Sequence, residues 1–365
     1  MKKRIAIALM AFWAPILSAK ELRWTQFGVR PLGMGNAFVA VADDFNALFY
    51  NPAGLARLPT WHLETINPAV ETSTQTISLV KDVFKLAAGK AGDITSVINI
   101  LKGNTGKLLG GSLSLTPHFV MPHFGLGIGT QSSFIMNVHR DINIEIALTI
   151  VRLVAPIAYA FDVIKDVLSV GASLKPVMTM GVAGDFDIGF LGAFSNPSEL
   201  SNKFSAGYGV GADVGVLFTP IKTMSPTIGL SVMDVGGTTF TPMKLATGGV
   251  APTTPEERSA AINAGFSFKP YNTDVNYLLL AADAHMINQP IHYSHKFNLG
   301  TEFGFTSILK LQAGLKEGYW TAGMQFDVGL LKLRVASYGV DHGAVVGMQK
   351  NAAERRIVMQ LKLLL

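Results

Sequence analysis

The sequence predicts an all-β chain, an antiparallel transmembrane β-barrel of about fourteen strands with short loop helices. Three observations point there. Hydrophobic residues make up 49% of the 365 and charged residues only 15%, with mean hydropathy +0.34, which is greasier than a soluble chain of this length. Beyond residue 19, however, no stretch long enough for a spanning helix is purely apolar; the nearest, Ile146 to Phe161, contains Arg152 and Pro156. In lipid only helices and closed barrels satisfy every backbone polar group, so such a chain reads as a barrel. Third, period-two alternation recurs from Trp61 onward, as in strands that face lipid on one side.

In chain order, residues 1–19 read as a secretory signal peptide. Lys2, Lys3 and Arg4 precede an apolar run from Ile5 to Leu17, and Leu17-Ser18-Ala19 makes a small-residue exit. Subtracting those three charges from the formal +5 leaves +2. No basic stripe with interleaved aromatics remains, so nucleic acid is not an expected partner. Zero cysteines exclude disulfides and thiolate chemistry.

The next stretch, Gly28 to Leu58, is not a strand. It carries Gly28, Gly33 and Gly35, the apolar run Phe38 to Ala42, the pair Asp43-Asp44 and the turn Asn51-Pro52-Ala53-Gly54. Pro52 pushes Asn51 out of the helical region and Gly54 permits a positive φ, so a sharp fold-back is expected there. The string G-x-R-P-L-G-M-G-x-A-F-V-A-V-A-D-D followed by N-P-A-G-L-A resembles the start of mature outer-membrane proteins of the FadL/TodX type, including its PorV-like and TraF-like branches. The resemblance covers roughly thirty residues. It implies that residues 20–58 form a hatch plugging a barrel of residues 59–365, with the N-P-A turn inside. Gly33, Gly35, Asp43, Asp44, Asn51, Pro52, Ala53 and Gly54 are its expected plug residues.

The barrel alternation is clearest near the end. Trp320, Ala322, Met324, Phe326 and Val328 share one face, and Thr321, Gly323, Gln325 and Asp327 the other. Leu309, Leu311, Ala313 and Leu315 oppose Lys310, Gln312, Gly314 and Lys316. Similar runs occur at 61–70, 113–121, 124–138, 142–154, 155–161, 168–174, 210–218, 228–232, 260–268, 278–286, 297–303 and 331–335. The final run Ile357, Met359, Leu361, Leu363 and Leu365 resembles the last strand of outer-membrane barrels, read by the barrel assembly machinery, although it ends on leucine and not on an aromatic residue.

Two regions break the pattern. In a loop insertion at about 73–104 the spacing turns helical, and Ile77, Val80, Phe84, Ile94 and Ile98 form a candidate apolar lid. Residues 189–203 contain a cap with proline after it, Asn196-Pro197. Thr239 to Pro255 reads as a further long loop.

Candidate chemistry is sparse. Gly207-Tyr208-Gly209-Val210-Gly211-Ala212 lacks the strand–turn–helix context of a dinucleotide fingerprint, so its glycines read as relief of crowding in a curved wall. His285, His292 and His295 lack ligand spacing, and no metal or cofactor is expected. Asp43 and Asp44 would point in opposite directions if extended, which rules out an acid/base pair; an ion pair with Arg30, Arg57, Lys310, Lys332 or Arg334 is expected instead. No nucleophile–base constellation stands out, so the chain is not expected to be an enzyme.

The few charges argue against a water-filled porin. The resemblance implies passive uptake of hydrophobic molecules such as long-chain fatty acids or detergent-like lipids, with exit through a gap in the wall at a strand kink. Proline breaks ladder pairing, which makes Pro117, Pro122, Pro156 and Pro176 the candidate gap positions. The second reading, from the PorV-like and TraF-like branches, is a scaffold or shuttle in secretion or conjugation.

Overall fold

The computed structural model describes residues 28–78, 99, 102–139, 144–186, 202–244, 249–306, 308–329, 331–342 and 353–363. The signal-peptide segment, Asn196-Pro197 and the lid positions Val80, Phe84, Ile94 and Ile98 lie outside them. Ile77 is described, in a helical turn at 74–78, and is 38% exposed.

The first eight strand segments make four broken staves: β1 (His62–Glu64) with β2 (Ala69–Ser73), β3 (Leu108–Leu115) with β4 (His118–Met121), β5 (Phe124–Gly127) with β6 (Gly129–Val138), and β7 (Ile144–Val154) with β8 (Ile157–Ile164). Then come β9 (Leu168–Phe186), β10 (Phe204–Phe218), β11 (Thr227–Met233), the short β12 (Thr241–Pro242), β13 (Ala261–Asn272) and β14 (Asn276–Ala284). The last five are β15 (Phe297–Phe305), β16 (Leu309–Lys316), β17 (Tyr319–Asp327), β18 (Leu331–Asp341) and β19 (Ala353–Leu363). Each broken stave counts once and β12 only flanks β10, so fourteen antiparallel staves form the wall, and pairing of β19 with β2 closes it. The runs at 142–154 and 155–161, which alternation alone separates, are one stave interrupted at Ala155-Pro156. Strand β9 continues through Pro176 to Phe186, well past the run visible in the sequence.

Alternation places the apolar side chains outward. Leu311, Leu315, Trp320, Met324, Met359 and Leu361 are exposed, whereas Gln312, Lys316, Thr321, Gln325, Gln360 and Lys362 are buried. The wall's inner face is therefore rich in polar and charged groups, contrary to the expectation drawn from the low charge content. Low charge overall and a polar interior coexist because the lipid-facing half of every strand takes up the apolar residues.

Inside lies the hatch, with one short helix at Val29–Gly33, another at Ala47–Tyr50 and a 3-10 turn at Pro52–Arg57. It seats on inward-facing wall glycines, three pairs of which lie directly opposite one another: Gly171 with Gly215, Gly229 with Gly265, and Gly300 with Gly314. A Cβ on Gly171 would sit 2.5 Å from Ala53 N, and one on Gly229 2.5 Å from Val39 O. Here hatch backbone touches wall backbone, which any side chain would prevent. Gly207, Gly209 and Gly211 relieve crowding, and what crowds them is the loop after β11, with Thr238 and Pro255 against them.

Gly229→Val should force the hatch off its seat at an overpacking cost of roughly 1–3 kcal/mol or more, read as rapid protease cleavage of the hatch in the folded barrel. Leu230→Val, on the outward face next to it, should leave cleavage at the wild-type rate.

Candidate functional site: the hatch and the broken wall

The hatch's acidic pair meets one arginine. The chain turns at Ala42 (φ +27°), so Asp43 and Asp44 do not diverge as an extended segment would require. Arg30 Nη1 donates to Asp43 Oδ1 at 2.5 Å and to Asp44 Oδ2 at 2.8 Å. Its Nε and Nη2 grip Glu302 of β15 in a fork, both at 2.7 Å, the bidentate geometry that suits guanidinium to carboxylate. Of the five cations expected to serve, Arg30 is the one that makes these pairs. Burial opposes its charge, but the three carboxylates outweigh that and raise its pKa well above the ordinary value. Burial likewise works against ionised Asp43, and Arg30 overrides it, holding that carboxyl at about 2.

Further stitches fix the hatch to the wall. Asp283 Oδ2 accepts from Phe38 N at 2.6 Å and Val39 N at 2.8 Å. Thr321 Oγ1 donates to Gly33 O and accepts from Gly35 N, at 2.8 and 3.0 Å. Gly35 is in the left-handed region (φ +61°), which favours glycine. Asn51 caps the 3-10 turn, accepting from Ala53 N, and its Nδ2 donates to Val39 O at 2.9 Å and to the wall carbonyls Val216 O and Leu230 O. Pro52 takes the first turn position behind it, as sequence suggests. Gly54 is not among the glycines with positive φ. It is small because a Cβ there would press on Ala42.

On the other side the hatch is apolar. Phe38, Phe45, Leu48, Phe49, Tyr50 and Leu55 form one buried cluster with Val120, Val154, Ala158, Ala160, Val177 and Leu217 of the wall. Phe45 stacks on the His118 ring at 4.0 Å. This is where the wall is broken. The interruptions at Pro68, Pro117, Ile128 and Pro156 separate the halves of the first four staves. At Leu174 to Val177, around Pro176, β9 changes partner from β8 to β7.

The breaks form one seam across five neighbouring staves. They are bridged by single hydrogen bonds: Ile128 N to Pro117 O (2.9 Å), Gly127 N to Pro156 O (3.0 Å), Ala155 N to Pro176 O (2.9 Å) and Leu361 N to Pro68 O (3.1 Å). Between the first two staves the Asn67 side chain stands in for a strand, donating to Thr116 O and accepting from Thr116 N at 2.8 and 2.7 Å. Proline offers no N–H, so the ladder is thinned along this line. Pro117, Pro156 and Pro176 lie on the seam; Pro122 does not, sitting in the β4–β5 turn beside His123 (φ +71°).

The three histidines stay apart. His285 lies 3.2 Å from Asp283, His295 3.5 Å from Glu317, and His292 contacts Ser294.

No family model and no curated protein matches this sequence. Solved structures do match. The chain is similar to the monoaromatic hydrocarbon channel CymD at 15% identity, covering 93% of this chain and 97% of that one with TM-score 0.55. It is similar to the Pseudomonas putida toluene transporter TodX at 12% identity, covering 95% and 99% with TM-score 0.57. The fold is that of the TodX-type channels. The Ralstonia pickettii toluene transporter TbuX matches at 12% identity, covering 93% and 99% with TM-score 0.50. At these identities the likeness reaches the TodX-type fold and no further.

Asp43, Asp44, Asn51 and the prolines can be found in the sequence. The wall residues that hold the hatch, Glu302 at Arg30, Asp283 at the Phe38 and Val39 amides and Thr321 at Gly33 and Gly35, cannot, because nothing in a strand's period-two pattern marks which inward polar residue will meet the hatch. Pro68 and Asn67 escaped too, although an Asn-Pro pair inside a strand-like run is a readable signal.

Asp43 ionises at about 2 in the folded chain against an ordinary 3.8. Its lowered pKa therefore stabilises the docked hatch fully above pH 3.8, and that contribution is lost as pH falls through about 2. Hydrogen exchange of residues 38–46 should accelerate over that interval in the wild type. Asp43→Asn should exchange faster at neutral pH and show a flatter dependence below pH 3.8.

Proposed function

We propose that the protein resides in the outer membrane of a Gram-negative-type cell and passes hydrophobic small molecules inward without energy input. Solute leaves sideways at the seam. The observation that carries this reading is the coincidence of the thinned ladder with the hatch's apolar face: the weakest part of the wall is backed by the greasiest part of the interior. A sideways exit hands an apolar solute to lipid and spares it water, a preference of about 25 cal/mol per Å² of apolar surface. The similarity in fold to CymD, a monoaromatic hydrocarbon channel, and to the toluene transporters TodX and TbuX supports the same solute class.

Neutral hydrocarbons suit this interior better than fatty acids. Several inward-facing cations already have carboxylate partners: Lys175 with Asp213 and Asp234 at 2.6 and 3.1 Å, Lys362 and Arg334 with Glu64 at 2.9 and 3.3 Å, and Lys316 with Glu317 at 3.1 Å. A fatty acid's carboxylate would have to compete with them. Outer-membrane lipid surrounds the wall in this reading, and insertion falls to the barrel assembly machinery.

The test is accumulation of labelled toluene, oleate and a sugar by Gram-negative cells whose lipopolysaccharide leaflet excludes hydrocarbons. Expression should raise toluene entry several-fold, oleate little and sugar not at all. Equal entry of all three would make the protein a general pore. No gain for any, with a secreted partner co-purifying instead, would favour the scaffold role.

A further inference from the structure

The seam is shut in this structure, and the hatch side chains Leu48 and Leu55 back its middle strand, Leu48 at both of its glycines. Strand β5 reads Phe124-Gly125-Leu126-Gly127, and both glycines face inward. A Cβ on Gly125 would lie 3.0 Å from Leu48 Cδ2 and 3.1 Å from Leu55 Cδ2, and one on Gly127 would lie 3.1 Å from Leu48 Cδ1. The two methyls of Leu48 thus lie along the inner face of β5. Gly127 N and Ile128 N donate the bonds that tie this strand to Pro156 O on one side and Pro117 O on the other. Leu48 sits directly behind both.

The rest of the hatch is held elsewhere. Its charged anchor falls on Glu302 in β15, and its polar anchors on Asp283 in β14, Thr321 in β17, the Val216 and Leu230 carbonyls in β10 and β11 and, through Arg57, on Ser169 in β9 and Thr219. Around the two glycines the side-chain contacts are carbon against carbon, with Leu48, Leu55, Val120 and the Cβ of His118, and beside them His123 N donates to Leu55 O at 2.9 Å. An aliphatic side chain in such a place can change rotamer without breaking a hydrogen bond or an ion pair. Breaking the Arg30 anchor would instead leave buried charge unpaired, a far larger cost.

We propose that Leu48 is the stopper of the seam, a positioning residue that sets which solutes cross the wall while the hatch stays anchored. This deepens the reading above and rests on it. The side-chain atoms that meet at the stopper are carbon, among them the Cβ of His118, whose ring is covered by Phe45 and whose Nδ1 is held at Thr116 O, so it selects compact neutral hydrocarbons over solutes that carry a hydrogen-bonding group. The glycines of β5 belong to the same device: they provide the groove that Leu48 fills, and a side chain on either would compete for that space.

The test combines two readouts on Leu48→Ala and on the double variant Leu48→Ala/Gly127→Val, which moves the lost volume from the hatch to the wall. Amide hydrogen exchange of the purified protein should be at least roughly tenfold faster at Gly127, Ile128 and Ala155 in Leu48→Ala, with the 29–35 amides still protected. Cells carrying it should accumulate toluene faster than wild type, and the bulkier naphthalene faster by a larger factor, with sugar entry unchanged. The double variant should return both readouts to wild type. Wild-type exchange at the seam in Leu48→Ala, or a double variant as open as the single one, would overturn the stopper. So would loss of protection at 29–35, which would mean that the whole hatch had loosened. Faster seam exchange with no hydrocarbon entry in any variant would uphold the stopper's hold on the seam and overturn the transport reading alone.

Discussion

The rest of this structure depends on one constraint: no backbone N–H or C=O can face lipid unpaired. The closed ladder from β2 round to β19 meets it. The seam meets it more sparingly. Each of Pro68, Pro117, Pro156 and Pro176 lacks a donor, yet each carbonyl still accepts from the next strand. The wall stays sealed, but with fewer bonds per residue than elsewhere, so opening there breaks less than opening at an intact pair of strands.

A second consequence of the barrel is where its charges go. Lipid claims the outward face of every strand, so the few charged side chains gather inside, where they must be matched. They pair across the lumen and with the hatch. The Arg30 cluster joins two hatch carboxylates to one on the wall. Removing one member strands the others in a poorly solvated interior, so these pairs fix where the hatch sits more than they add to overall stability. The backbone-to-glycine contacts complete the seat by shape. Together they leave the hatch with a firmly held side and an apolar side, and the apolar side faces the seam.

Much of this was legible in the sequence. Period two exposed the strands because a barrel wall has two chemically opposite faces, and Trp320 to Val328 sorted residue by residue as the structure has it. It failed where strands bend. The stave broken at Pro156 read as two, and β9 beyond Pro176 was lost, since proline is a stop signal to any local reading. The hatch motif was visible, but Asp43 and Asp44 looked divergent because the turn at Ala42 is not written in their spacing.

By itself the sequence determined the barrel, the outward greasy face and the existence of a compact segment ahead of it, since these follow from composition and from patterns a few residues long. Only the tertiary structure decided that prolines far apart in the chain fall on one seam, that Glu302 and Asp283 hold the hatch, and that Leu48 lies behind Gly125 and Gly127. Those relations join residues as many as 272 positions apart. They arise from strand register around a closed ring, which no local pattern carries.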